Sequence, residues 1–470
     1  MKNNLKTFIL GLTVVLLTGS CKKYLDINTN PNAAASAPLK GLLAHATNGT
    51  AINTFEVSTN MTSYYVQYLA SPSSGSDLDT YNPIDPSGTW GDIYDLMTDI
   101  HDMRAQAASQ GAETYVGVSD ILMAYNLNMS LNIWGDIPYS EAFQGVSNLQ
   151  PKYDNQQDLY DTCLALLDEG IALLSDPAND GTIDAPSDFI HGGNNAAWVK
   201  TAYALKARLL NEVSKTSQYD ASKVLAALTN AYGSNSDDAQ VTQFDGPGPW
   251  AQVAINNAGL DLDGWLSTHF VSALNDSTFG VFDPRLPLIT QVTKFGDYRG
   301  TINGKGRVGS GTNHEECYLD VDKWYSSPGA PLQLITYPEC KFIEAEAQLR
   351  AGQPAKAYDA YLAGIVADMQ RIGVADTAIT RYTSEPTVAV GAGALTIGLI
   401  LKEKYVACFL NPVTWDDARR FDYQYKDFNL PYDAQLSEFI RRVDYPTSEI
   451  SRNGKNVPSV SLTDRLWWDQ

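Results

Sequence analysis

Apolar positions recur at helical intervals of three and four over most of this chain. Trp90, Ile93, Tyr94, Met97 and Ile100 fall on one helical face, and Leu122, Tyr125 and Met129 on another. Leu159, Cys163, Leu166, Leu167 and Leu174 mark a helix over 158–174. Trp198, Ala202, Leu205, Leu209 and Val213 mark a longer one over 195–215, and 221–232 reads as its antiparallel partner. A helical segment is expected over 40–70, carrying Tyr64, Tyr65 and Tyr68. A polar loop over 71–87 follows, with Tyr81 exposed in its middle. Further on, 341–351 and 354–372 predict a helix pair broken at Gly352-Gln353-Pro354, with proline in the permitted first turn. Another helix is expected over 399–419. The apolar 388–401 region is too short to span a bilayer and reads as core, and the tail over 441–469 has no clear period.

Between 233 and 338 the periodic pattern stops. Gly, Pro, Asn, Asp and aromatic residues dominate there, and so long an irregular stretch inside a globular chain usually carries function. Within the 341–372 pair, Ala345 and Ala357 are twelve residues apart. That separation lets the facing helices of a tetratricopeptide-like hairpin approach closely, although any antiparallel pair wants small residues at its crossing. With the 195–232 pair, it makes an all-α scaffold of helical hairpins the expected fold class, carrying an irregular, loop-rich lobe.

The first 21 residues have a different grammar. Lys2 and Lys6 supply positive charge, Phe8 to Leu17 is almost continuously apolar, and Gly19 and Ser20 precede Cys21. This is the order of a secretory signal. Leu17-Thr18-Gly19-Ser20-Cys21 looks like a bacterial lipoprotein cleavage box, in which Cys21 is lipidated on its thiol and becomes the new N-terminus. Several acyl chains on one residue exceed the reversible regime of a single chain, so anchoring needs no transmembrane helix. The expected organisation is a signal peptide over 1–20, a lipidated tether over 21–39 and one domain over 40–470. Within that domain the scaffold lies mainly at 90–232 and 340–425, and the lobe mainly at 233–339.

The 470 residues carry a net charge of -21, which becomes -23 without Lys2 and Lys6. So acidic a chain repels phosphate backbones and anionic headgroups, which argues against nucleic acid as a partner. Cys163 and Cys408 sit in apolar helical patterns and read as small buried hydrophobes; Cys317 and Cys340 could pair in an oxidising compartment. No CxxC or spaced histidine pair suggests zinc. Asp320-x-Asp322 and Asp261-x-Asp263-Gly264 offer oxygen ligands for calcium, but neither completes an EF-hand loop, and no cofactor is assigned.

Gly304-Lys305-Gly306-Arg307-Val308-Gly309 matches a dinucleotide-binding pattern without the strand and helix it requires, and reads as a flexible loop. His191-Gly192-Gly193-Asn194 resembles an esterase oxyanion loop, but no nucleophile elbow accompanies it, so it reads as a turn before a helix. Glu315-Glu316, Glu344 with Glu346, and Asp416-Asp417 are acidic pairs of a kind expected by chance among 54 acidic residues. Aromatic rings displayed on loops are better candidates, because they stack on sugar faces while their polar ends hydrogen-bond. Tyr81, Trp250, Trp265, Tyr298, Trp324 and Tyr325 are the loop-borne candidates; Trp90, Trp134, Trp198 and Trp415 read as structural.

Several segments together resemble the SusD/RagB family of Bacteroidetes outer-membrane nutrient-binding lipoproteins, in its SusD-like branch. They are the tether from Cys21 to Pro31, Trp134-Gly135-Asp136-Ile137-Pro138-Tyr139, Ala204-Leu205-Lys206-Ala207-Arg208, Asp283-Pro284-Arg285-Leu286, Ala345-Glu346-Ala347, and Glu403-Lys404-Tyr405 leading to Trp415-x-Asp417-x-Arg419-Arg420. The resemblance implies four tetratricopeptide-like helix pairs, a ligand site on the irregular lobe, and no enzymatic activity. It further implies a position at the cell surface, lipid-anchored in the outer membrane as a hinged lid on a SusC-like TonB-dependent β-barrel transporter that imports the captured oligosaccharide, peptide or other nutrient. Lys22 and Lys23 depart from the acidic residues common after the cysteine in surface-exported relatives, which leaves orientation open. The competing readings are a lipid-anchored glycoside hydrolase, with two carboxylates converging in a cleft, and a barrel-capping subunit without a ligand of its own.

Overall fold

The computed structural model describes residues 37–179, 183–258, 264–310 and 313–470. The signal segment, Cys21 and nearly all of the tether lie outside the described residues, as do Asp261 and Asp263.

Four helix pairs build the scaffold. They are α1 (Leu39–Val57) with α2 (Ser87–Gln110), α3 (Glu113–Trp134) with α4 (Gln156–Ser175), α5 (Asn195–Glu212) with α6 (Ala221–Leu228), and, after the lobe, α9 (Tyr337–Arg350) with α10 (Pro354–Arg371). Each pair packs on the next: α2 on α3, α4 on α5, and α6 on α9. The sequence starts these helices by side-chain capping. Asn155, Asn194 and Asp220 each accept a hydrogen bond from an otherwise orphaned first-turn N–H. Small residues set the closest crossings. A Cβ on Gly117 would come 2.8 Å from Leu174 Cγ, and one on Gly170 only 2.9 Å from the Gly117 carbonyl oxygen, so α3 and α4 touch backbone to backbone. Ala345 and Ala357 are fully buried, as their spacing suggests.

The lobe contains α7 (Pro249–Ala258), α8 (Thr268–Leu274) and one two-stranded antiparallel sheet, β1 (Ala239–Val241) on β2 (Leu332–Ile335). After α10 come α11 (Asp376–Ser384), which had no clear sequence signal, α12 (Ile397–Ala407), α13 (Val413–Arg420) and α14 (Thr447–Asn453). The helix expected over 399–419 is therefore two. Leu410 takes a positive φ of 64°, and Pro412 has no N–H to continue the ladder. The segment expected to be helical over 40–70 is interrupted as well. It opens into a π turn at Ser58–Thr62, where the Ser58 hydroxyl donates to the Leu410 carbonyl at 2.7 Å, and it stops before Gln67 at φ 54°. Cys317 and Cys340 are buried free thiols and do not pair. Among the described residues no helix is long and apolar enough to cross a membrane.

Candidate ligand-binding site

The lobe is held to the scaffold by buried charge. Arg285 donates to Asp283 at 2.9 and 2.6 Å, to Asp368 of α10 at 2.8 Å and to Glu403 of α12 at 2.5 Å. Arg371 completes Asp368 at 2.6 Å; Lys402 and Tyr382 complete Glu403 at 2.6 and 2.8 Å. Three cations thus face three carboxylates. Burial alone would raise the Asp283 and Glu403 carboxyls; the neighbouring cations, Arg285 above all for Asp283 and Lys402 for Glu403, outweigh it and leave both lowered. This network is what the Asp283-Pro284-Arg285-Leu286 segment does: it locks the lobe onto two helices.

The six loop-borne rings are not brought together. Tyr81 is fully buried in a left-handed conformation, edge-on to Tyr65 at 6.0 Å, and not exposed as its polar sequence neighbours suggested. Trp250 is buried edge-on to Phe55 of α1 at 4.7 Å, and Trp265 is buried against Tyr318 at 5.6 Å. Tyr325 is buried edge-on to Phe409 at 5.0 Å. Trp250 and Tyr325 seat the lobe on the helical scaffold, Trp265 packs within the lobe and Tyr81 packs outside it, and none of the four presents an open face. Trp324 is half-buried with the Arg371 guanidinium 5.5 Å from its ring centroid, and Tyr298 is half-buried beside the exposed Phe282 at 5.9 Å. Trp90, Trp134, Trp198 and Trp415 are core residues, as their helical positions suggested.

A groove of about 440 Å³ opens instead where α8, the 302–303 turn and the 427–432 segment meet. Gln67, Ser267, Thr268, His269, Ser272, Ser277, Thr278 and Asn303 line it on one side, and Asp427, Asn429, Leu430, Pro431 and Tyr432 on the other. Tyr432 is 53 % exposed at this groove, held through its backbone N–H, which donates to the Asn303 carbonyl at 2.9 Å. The Ser272, Ser277 and Tyr432 hydroxyls make no hydrogen bond to another described residue. Burial lowers His269 to about 4, partly offset by Asp427, so its ring is neutral at physiological pH. Asn303 is already engaged: it accepts from Ser267 Oγ at 2.6 Å and donates to the Leu69 carbonyl and to Asp79 at 2.9 and 2.8 Å. The groove is thus a hydroxyl- and amide-lined surface with one exposed ring, of a volume suited to a small ligand. Sequence reasoning missed it because its walls come from four separated segments; the turn-prone Asn429-Leu430-Pro431-Tyr432-Asp433 run was the one local signal.

The glycine-rich run belongs to this architecture. It is a packed turn closed by the pairing of Ile302 with Gly306, and not a flexible loop. Gly304 has φ 83°, and a Cβ there would lie 2.0 Å from the Tyr432 carbonyl oxygen. The loop before α5 has no free oxyanion donors: the N–H groups of Ile190, His191 and Gly193 and the Trp198 indole all donate to Asp188. The acidic pairs are occupied too. Glu346 accepts from Arg420, Arg350 and Asn211, while Glu344 faces Lys341 on the other side of α9. Asp416 pairs with Arg419, Asp417 with Lys404 and Arg420, and Glu315 with Lys294; Glu316 accepts from the Val308 N–H. Asp320 accepts from Thr290 and from the Gln291 N–H, and no cluster of three metal-ligating side chains occurs among the described residues.

A search of curated proteins finds no match. Solved structures match over nearly their whole length. A SusD/RagB family protein from Bacteroides thetaiotaomicron is 21% identical with a TM-score of 0.75, covering 92% of this chain and 99% of its own. A chitin-binding SusD homolog from Flavobacterium johnsoniae is 20% identical with a TM-score of 0.77, covering 92% and 98%. A SusD homolog from Bacteroides fragilis is 22% identical with a TM-score of 0.72, covering 93% and 100%. At these identities the likeness establishes the fold, which is the all-α hairpin scaffold. A SusD-like family model, described as starch-binding and associating with the outer membrane, matches residues 31–446. On that match over most of its length, this chain belongs to the SusD-like family.

Proposed function

We propose that this protein is a non-catalytic, lipid-anchored receptor of the outer membrane that captures an oligosaccharide and hands it to a SusC-like TonB-dependent barrel. The observation that carries the ligand half is the groove: unpartnered hydroxyls, a neutral imidazole and the exposed Tyr432 ring suit the alternating CH faces and hydroxyls of a sugar. Family membership supports the outer-membrane setting, and the chitin-binding homolog supports glycan as the ligand class. Tyr298, with Phe282 beside it, and Trp324 are assigned a secondary part as half-open rings elsewhere on the lobe. The role assigned to Cys21 is acylation, and no cofactor is assigned.

Calorimetric titration against starch, chitin and other plant, host and microbial oligosaccharides, with peptides alongside, tests the ligand. At least one glycan is expected to bind, and Tyr432→Ala to weaken it tenfold or more. Silence across the glycans removes the oligosaccharide assignment, and undiminished binding by the variant removes the groove. Release of sugar from a polysaccharide by the purified protein would overturn the receptor reading. Labelled palmitate should follow the protein into the membrane fraction and be lost in Cys21→Ala.

A further inference from the structure

A second depression, of about 530 Å³, shares no lining residue with that groove. It lies among the 83–85 loop, the 444–447 segment and the stretch that follows α14, and its walls are mainly apolar: Pro83, Ile84, Tyr445, Ile450, Val457 and Val460. Two carboxylates line it, and their circumstances differ. Asp85 is saturated, accepting from the Ser87 hydroxyl at 2.7 Å, the Ser87 N–H at 3.2 Å, the Thr447 N–H at 3.1 Å and the Thr447 hydroxyl. Asp444 is half-buried and makes no hydrogen bond or ion pair with any described residue.

The cation nearest in sequence acts on Asp444 only at a distance and forms no ion pair with it. Arg442 is buried, donates to the Trp134 carbonyl and lies over the Tyr445 ring at 5.3 Å, forming no ion pair among the described residues. Lys455, next to the lining residue Gly454, is exposed and forms no ion pair among the described residues. A carboxylate partly withdrawn from water beside apolar walls is poorly solvated, and a matching positive charge restores what it has lost. Burial indeed raises the Asp444 carboxyl, with Arg442 opposing it. The net charge of -21 adds a general attraction for cations.

We propose that this depression binds a small organic cation with an apolar body, the ammonium facing Asp444 and the hydrocarbon lying along Ile84, Val457 and Val460. The site is independent of the sugar-binding reading. Phenethylamine is the probe, titrated by calorimetry and by chemical-shift perturbation, with 2-phenylethanol and 3-phenylpropionate as neutral and anionic counterparts of similar shape. The amine is expected to bind at least tenfold more tightly than either. Asp444→Asn should abolish that preference while leaving glycan titrations unchanged. Ile450→Trp, at an exposed position that tolerates substitution, should block the depression and weaken the amine tenfold even if Asp444→Asn fails to fold. Equal binding of amine and alcohol, no amine binding at all because Lys455 already neutralises the carboxylate, or unchanged binding in the blocked variant would each overturn the assignment.

Discussion

Arg285→Met tests the joint between lobe and scaffold. The wild-type guanidinium, 1 % exposed, makes side-chain hydrogen bonds to Asp283, Asp368 and Glu403. Methionine keeps much of the volume and removes the charge. Three buried carboxylates then face only Arg371 and Lys402. Removing one partner of a buried ion pair costs about 3–5 kcal/mol, because the other is left desolvated and uncompensated. With an unfolding entropy of ~2 cal/mol/K per residue, a loss of that size lowers the melting temperature of a chain this long by about 3–6 °C. Denaturant titration at pH 7 with calorimetric melting reads both quantities.

The pH dependence gives the sharper check. Asp283 and Glu403 are lowered from their ordinary values of 3.8 and 4.5, so their stabilisation is full above those values and is lost as the pH falls through the folded ones. The gap between wild type and variant is therefore widest near neutrality and narrows under acid. A second change, Asp368→Asn, should recover part of the loss by removing one stranded charge. A loss under about 1 kcal/mol, or a gap independent of pH, would refute the argument that this network holds the lobe in place.

Two further substitutions probe other parts of the molecule. Glu212 is raised to about 8, chiefly by burial and then by Asp416, with which it shares the Asn132 amide. A carboxyl raised in the folded state favours folding at low pH, so this contribution is lost between the ordinary 4.5 and about 8. Glu212→Gln should therefore match wild type near pH 4.5 and exceed it above pH 8, by an amount on the order of 4 kcal/mol, read as melting temperature against pH. Gly304→Ala places a methyl group 2.0 Å from the Tyr432 carbonyl oxygen at φ 83°. It should cost at least ~2 kcal/mol and weaken glycan binding by moving Tyr432; an unchanged melting curve would show that the turn is slack.

Helical periodicity made most of the scaffold legible. Leu159, Cys163, Leu167 and Leu174 are buried, and Ala345 and Ala357 are fully buried on two helices that pack together. The stretch read as one helix over 399–419 breaks at Asn411-Pro412, a signal present in the sequence itself. What local pattern could not give was pairing at a distance. Asp283 and Arg285 announce themselves two residues apart, while their partners lie at 368 and 403. Tyr81 sits among polar neighbours and is buried because a distant helix end supplies Tyr65. The groove's walls run from Gln67 to Tyr432, and no window of sequence contains them.

That same reach bears on the order in which the molecule assembles. Each hairpin closes between neighbours in sequence, and α9 meets α10 across three residues. The lobe instead depends on ties such as Arg285 to Glu403 and the Asn303 amide to the Leu69 carbonyl, 234 positions apart. Loop-closure entropy delays contacts of that span until the hairpins have shortened the path between their ends. The scaffold therefore consolidates first and the lobe docks last, and on opening the lobe is the first cooperative unit to exchange its amide hydrogens.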